Sequence, residues 1–271
     1  MTPGLGSYAF RWSVGHKDLV PPRPMSPHDL ITVTGDLGLS VLQYADNVPL
    51  EGLSGDELER LRHAADARKI TLEVGIQTFD ADLLKRYFSI AKRLNAKIIR
   101  IALDAADAKT PLDRLAQDVA AVLPAAEKAG CRLAIENHFD FPSPRMVSLL
   151  KLVDDDRVGV CLDVANSICA GEWPQETVAL LAPWTINLHL KDYVIAPDPY
   201  GVGFRIQGCP LGEGRTDIDA VLKALDHRAM SVVYEHWLPW PGSFEEAQQA
   251  EHKWANLGAS KLKGLLNRPA D

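Results

Sequence analysis

The chain is poor in several things, and each scarcity removes a class of protein. Cysteine is rare: Cys131, Cys161, Cys169 and Cys209 are all that 271 residues contain, with no C-x-x-C spacing among them. That argues against a structural zinc site. Two of these thiols, Cys131 and Cys161, sit at or in apolar runs, where buried thiols are common, and a reduced, cytoplasmic setting fits them best. Positive charge is also short, with 29 Lys and Arg against 36 Asp and Glu and a net charge of −7. Nucleic acid is therefore not an expected partner, because phosphate binding needs a basic surface. No apolar stretch approaches the ~18–20 residues of a membrane span. The opening "MTPGLGSYAF" lacks the basic and apolar regions of a signal peptide. No G-x-G-x-x-G leads from the first apolar run into a helix, which counts against a dinucleotide-binding, doubly wound sheet.

What the chain does have is a repeating alternation. Short runs rich in Val, Ile and Leu recur from end to end: "SYAF" (7–10), "LSVLQYA" (39–45), "ITLEVGI" (70–76), "KIIRIAL" (97–103), "CRLAIEN" (131–137), "VGVCLDV" (158–164), "TINLHLK" (185–191) and "SVVYEHW" (231–237). Such runs suit strands buried on both faces. Between them lie helical stretches with legible starts: Ser54 with Glu57, Ser243 with Glu246, Asp80, Thr110 ahead of Pro111, and Pro144. Gly130 is placed to end one of them. Eight strand–helix units without a linker predict an α/β fold, one (β/α)8 TIM barrel over residues 1–271. Two connections are long, 11–25 and 192–215. The second has the length of a lid-like loop.

In such a barrel, function sits at the carboxyl ends of the strands. Those ends carry Gln43, Glu73, Arg100, then Glu136 with His138, Asp163 with Asn166, His189 with Lys191 and Asp192, and Glu235 with His236. Four successive strands thus supply Glu136, Asp163, His189 and Glu235. Three carboxylates converging on one rim would repel each other unless a cation compensates. This donor set is hard enough for Mn²⁺ or Mg²⁺ and could take Co²⁺ or Zn²⁺.

The segments "LAIENHFDF" (133–141), "GVCLDVANS" (159–167), "LHLKDY" (188–193), "PLGEG" (210–214) and "VVYEHW" (232–237) together resemble the sugar phosphate isomerase/epimerase superfamily, the xylose isomerase-like barrels. "SYAFRW" and "LQYADNVPL" extend the resemblance to nearly the whole chain. It implies that Glu136, Asp163, His189 and Glu235 hold one divalent metal, and that Glu136 and Glu235 exchange protons with the substrate through an enediolate. It also implies a homo-oligomer, dimer or tetramer. The pattern departs at Asn166, where many epimerases carry His. Asn can hydrogen-bond a substrate oxygen but cannot carry a proton near neutrality.

The strand period of two turns His138 and Lys191 to the same side as Glu136 and His189, so both are candidate catalytic groups. Asp192 is expected to orient the site from behind. Gln43, Asn166, Arg100 and Arg205 are assigned to substrate, the arginines to an anionic group. Gly212 and Gly214 are expected to turn the chain into a helix at Thr216. An abasic-site nuclease on this barrel would need further histidines on strands three, four and seven, and they are missing. The expected activity is an isomerase or epimerase of a ketose or oxo-sugar derivative. The alternative is a metal-dependent lyase, a decarboxylase or dehydratase of an oxo-sugar acid.

Overall fold

The computed structural model describes residues 1–225 and 228–267. In chain order the strands are β1 (Thr2–Gly6), β2 (Val41–Tyr44), β3 (Thr71–Ile76), β4 (Ile98–Ala102), β5 (Arg132–Glu136), β6 (Val158–Asp163), β7 (Thr185–Leu190), β8 (Asp192–Pro197), β9 (Phe204–Cys209) and β10 (Ser231–Tyr234). Strands β1 to β7 and β10 pair in parallel and close into a barrel, with β10 between β7 and β1. Residues on both faces of these strands are buried, as the Val, Ile and Leu runs require. Helices surround the barrel. None among the described residues is long and apolar enough to cross a membrane.

Seven of the eight expected strands lie within their apolar runs, and the first does not. "SYAF" forms a turn of 3-10 helix, Ser7–Phe10, and the strand precedes it as "TPGLG". Glycine weakens strands by propensity, which hides this one in the sequence. Packing explains it. A Cβ on Gly4 would lie 2.8 Å from Val41 Cβ, and one on Gly6 would lie 2.5 Å from Glu235 Oε1. The glycines let β1 approach its neighbours and leave room for a carboxylate at the rim.

The caps behave mostly as expected. Ser54 and Glu57 form a reciprocal capping box, Asp80 caps Ala81–Leu94, and Gly130 (φ 70°) ends Leu112–Ala129 in the left-handed region. Ser243 accepts from the Glu246 amide, while the Glu246 carboxylate takes the Ser243 hydroxyl rather than its N–H. Thr110 is not a cap. Its hydroxyl donates to the Ala106 carbonyl, and Pro111 occupies the N-cap. A helix over Pro27–Asp36, with a Ser26/Asp29 capping box, was not foreseen.

The 192–215 connection is built rather than irregular. Strands β8 and β9 form an antiparallel hairpin, in register from Asp192↔Cys209 to Pro197↔Phe204. The Asp192 carboxylate anchors its base by accepting from the amides of Tyr193 (2.9 Å), Gly212 (2.9 Å), Gly214 (2.9 Å) and Thr216 (3.0 Å). Asp192 therefore positions the hairpin, not the metal ligands as expected. The next helix is Ile218–Ala224, capped by Asp217 rather than begun at Thr216.

Candidate metal centre and active site

Glu136 and Asp163 are the last residues of β5 and β6, His189 is the penultimate residue of β7, and Glu235 follows β10. Register places Asp163 beside His189, and His189 beside Val233. All four side chains are buried. His189 Nδ1 lies 3.4 Å from Glu136 Oε1, 3.6 Å from Glu235 Oε2 and 3.8 Å from Asp163 Oδ2. Glu136, Asp163 and His189 bring one ligand atom each within 4.8 Å of the others.

The imidazole is oriented from below. His189 Nε2 lies 2.6 Å from Gln43 Oε1, and the Gln43 amide donates to Glu73 Oε2 (2.9 Å) and Asn187 Oδ1 (3.2 Å). Glu73 accepts in turn from Ser231 Oγ (2.5 Å) and Asn187 Nδ2 (3.1 Å). Gln43 therefore faces the ring with its oxygen, which assigns a hydrogen to Nε2 and leaves Nδ1 as the nitrogen facing the carboxylates. This corrects the expected role of Gln43: both ends of its amide are used inside the barrel, and none is left for substrate.

The cluster fits a divalent cation. His189 Nδ1 and Glu235 Oε1 are buried without a hydrogen-bonding partner among the described residues. Buried polar atoms of this kind are normally satisfied. Burial alone would disfavour an imidazolium, yet Cys161, Glu235 and Glu136 together hold His189 well above its usual pKa. The same negative field favours a divalent ion among hard oxygen and nitrogen donors. Asp163 divides its work: Oδ1 accepts from the amides of Ala165 and Asn166 (both 3.1 Å), capping Val164–Cys169, while Oδ2 faces the cluster.

Two further cations enter this rim. Lys191 Nζ sits 2.7 Å from Asp163 Oδ2 and 3.1 Å from Glu235 Oε2, and 5.0 Å from the centre of the Trp237 ring. Burial opposes its charge, but Asp163, Glu235 and Glu136 raise its pKa above the usual lysine range, so it stays an ammonium. Arg100 pairs with Glu136 through Nη2 and with Asp46 through Nη1 (3.0 Å). Against burial, Arg100 and then His189 hold Glu136 well below the usual carboxylate range. Burial raises Asp163 to about 6, with Glu136 and Glu235 adding repulsion and Lys191 opposing.

Other expected substrate groups are placed differently. The Asn166 amide, expected to meet substrate, donates to Glu136 Oε1 (3.0 Å) and the Asn137 carbonyl (3.2 Å). Arg100 is held by two carboxylates. Arg205 lies on β9, exposed and paired with Asp198 at 2.6 Å; it is not brought into the cluster. His138 does reach the rim: it stacks on Phe139 (4.2 Å between ring centres) and its Nδ1 is buried without a partner. Burial lowers its pKa, with Arg100 and Lys191 in the same direction and Glu136 against, which keeps the ring neutral at neutral pH.

Sequence reasoning missed the Glu73–Asn187–Ser231 network. Its signal was present: Asn187 and His189 stand two apart on one strand face, and Glu73 is a lone acid within an apolar run.

A closed parallel barrel with an acid–imidazole cluster at the carboxyl rim defines a class of barrel enzymes. A match to the profile described as xylose isomerase-like TIM barrel covers residues 36–256, and the chain belongs to that family. The chain is similar to the 3-oxo-isoapionate decarboxylase of Pectobacterium atrosepticum, 33% identical over 97% of this chain and 95% of that protein. Among solved structures it resembles a D-psicose 3-epimerase determined in the presence of D-fructose (TM-score 0.74, 17% identity, 99% and 100% of the two chains). It also resembles a xylose isomerase-like TIM barrel protein from Mycobacterium smegmatis in complex with magnesium (TM-score 0.67, 18% identity, 96% and 97%).

Proposed function

We propose that this protein is a metal-dependent decarboxylase of a 3-oxo sugar acid, the lyase alternative of the sequence reading. The observation that carries it is the state of Glu136. Its Oε2 is paired with the Arg100 guanidinium and its Oε1 accepts from Asn166. Epimerisation by two glutamates needs a proton acceptor on each face of the substrate carbon. A carboxylate held well below its usual pKa by an ion pair with Arg100, with Asn166 donating to its other oxygen, is a poor proton carrier. Loss of CO₂ from a 3-oxo acid needs no base. The similarity to a decarboxylase across nearly the whole chain supports the same reading.

Glu136, Asp163, His189 and Glu235 would hold a divalent ion, Mn²⁺ or Mg²⁺ by the hardness of the donors. When bound, that ion supplies Lewis acidity toward the oxo group and its neighbouring hydroxyl. The carboxylate carbon leaves as CO₂, its bond electrons pass into the oxo group as an enolate, and a proton added at carbon restores the ketone. The chain's own contribution is charge and proton placement. The Lys191 ammonium, fixed by Asp163 and Glu235, sets a positive charge beside the developing enolate. His138, neutral and with an unpartnered Nδ1, is placed to pass the proton. The anchored β8–β9 hairpin would close the mouth against water. The wider reading is of a cytoplasmic homo-oligomer acting on a small sugar acid.

The test is ¹³C and ¹H NMR in D₂O with the Mg²⁺-loaded protein and two panels, 3-oxo sugar acids and neutral ketoses. We expect labelled CO₂ and bicarbonate from an oxo acid, with one deuterium in the ketose formed, and no exchange into the neutral ketoses. Deuterium entering a neutral ketose without CO₂ release would return the protein to the epimerase class.

A further inference from the structure

The cluster is overlooked by a cavity of about 360 Å³, lined among others by Arg11, Phe139, Cys169, Gln207 and Trp237. Its walls continue the ligand-bearing strands. Phe139 stands three residues after Glu136, Cys169 ends the helix that Asp163 caps, and Trp237 lies two after Glu235, with Lys191 Nζ over its ring. Trp237 is thus shared between the cavity and the surroundings of Lys191, which joins the cavity to the cluster.

Arg11 is the unusual wall residue. Its Nη2 donates to the Leu238 carbonyl (2.7 Å), its guanidinium lies 4.3 Å from the centre of the Trp12 ring, and its Nε is buried without a partner. Among the described residues no carboxylate lies within ion-pair distance of it. The nearest candidate, Glu251, is consumed by the amides of Trp12 (2.7 Å) and Ser13 (3.0 Å) and by the Ser13 hydroxyl (2.6 Å). Burial accordingly pulls the Arg11 pKa below its usual range, with Glu251 and Tyr8 only partly offsetting it. Arg100, the other guanidinium near this rim, has two carboxylates. A half-buried guanidinium without a counter-ion is unfavourable unless a ligand brings one.

We infer that Arg11 is the receptor for the substrate's carboxylate, gripping in this cavity the group that leaves as CO₂. This rests on the oxo-acid reading and names the residue that makes the site select acids over neutral sugars. Guanidinium is suited to the role because its planar fork matches a carboxylate. The hairpin adds the Gln207 amide to the same cavity, next to but not in place of Arg11.

The experiment is titration calorimetry of the Mg²⁺-loaded protein with D-erythronate and erythritol, a pair differing in one carboxylate. Wild type should bind erythronate roughly 30-fold more tightly, the value of one charged hydrogen-bonded contact. Arg11→Gln should reduce that preference to about threefold or less with erythritol binding unchanged, and Arg11→Lys should keep part of it. A melting curve checks that each variant is folded, and Arg11→Lys carries the test should the glutamine variant not fold. No preference in wild type, or a preference that survives Arg11→Gln, overturns the assignment. An Arg11-dependent preference without CO₂ release from any oxo acid would instead remove the decarboxylase reading and leave the acid-binding site standing.

Discussion

The two halves of the barrel rim do different work. Strands β5, β6, β7 and β10 lead to the side chains of the buried acid–imidazole cluster: Glu136, Asp163, His189 and Glu235. Strands β1 to β4 carry the groups that hold those side chains in place. Gln43 and Glu73 orient His189, Arg100 clamps Glu136, and Gly6 clears space for Glu235. The lesson is that a site of like charges is stable in a low-dielectric barrel only because another half of the barrel answers each charge. The halves meet at two seams. Arg100 crosses one, from β4 to β5. Glu251 crosses the other, from the last helix, Phe244–Leu266, to the turn Arg11–Val14 after β1.

The comparison breaks most sharply on the ligand side. His189→Ala should abolish divalent binding by equilibrium dialysis and lower turnover by at least about 10³-fold. On the supporting side, Arg100→Met leaves Glu136 buried and unpaired, and should destabilise the metal-free protein by about 3–5 kcal/mol in urea unfolding. Added Mg²⁺ should recover part of that loss, because it replaces the missing charge at Glu136.

The second seam is a matter of pH. Burial raises Glu251 to about 7 from 4.5. A carboxyl harder to ionise when folded contributes stability that is whole below pH 4.5 and is lost as pH rises through about 7. From pH 5 to pH 8 wild type should therefore lose about 2.5 kcal/mol more than Glu251→Gln. Equal slopes in the two proteins would remove the seam from the account. The smallest effect is expected for Gln43→Leu. Its amide meets His189, Glu73 and Asn187, and its loss should weaken Mg²⁺ binding about 10- to 100-fold, as loss of a ligand's hydrogen-bonding partner does. Competition with a metal-sensitive dye would measure this. An unchanged affinity would mean that His189 is oriented by packing alone.

Much of this was legible in one dimension. Seven apolar runs coincide with strands because a strand buried on both faces must be apolar throughout, and the ligands stand at their carboxyl ends because a barrel's rim is where polar groups escape that demand. Those two constraints also bring Glu136, Asp163, His189 and Glu235 together as the ligands we propose. Local chemistry also determined the Ser54 and Asp80 caps and the Gly130 stop, since each depends on residues within one turn. What could not be read were contacts across the barrel. β1 hid behind its glycines because their reason is the approach of Val41 and Glu235, residues far along the chain. Gln43, Asn166 and Arg100 looked like groups for substrate because nothing local says that a partner more than 25 residues away has already claimed them. Arg11 went unnoticed for the opposite reason: its interest lies in having no counter-ion among the described residues, and that is decided by where the other charges come to rest. Pattern and periodicity act over a few residues and determined the barrel and the acids at its rim; which charges are paired and which are left over is a property of three-dimensional proximity, and only the closed fold decided it.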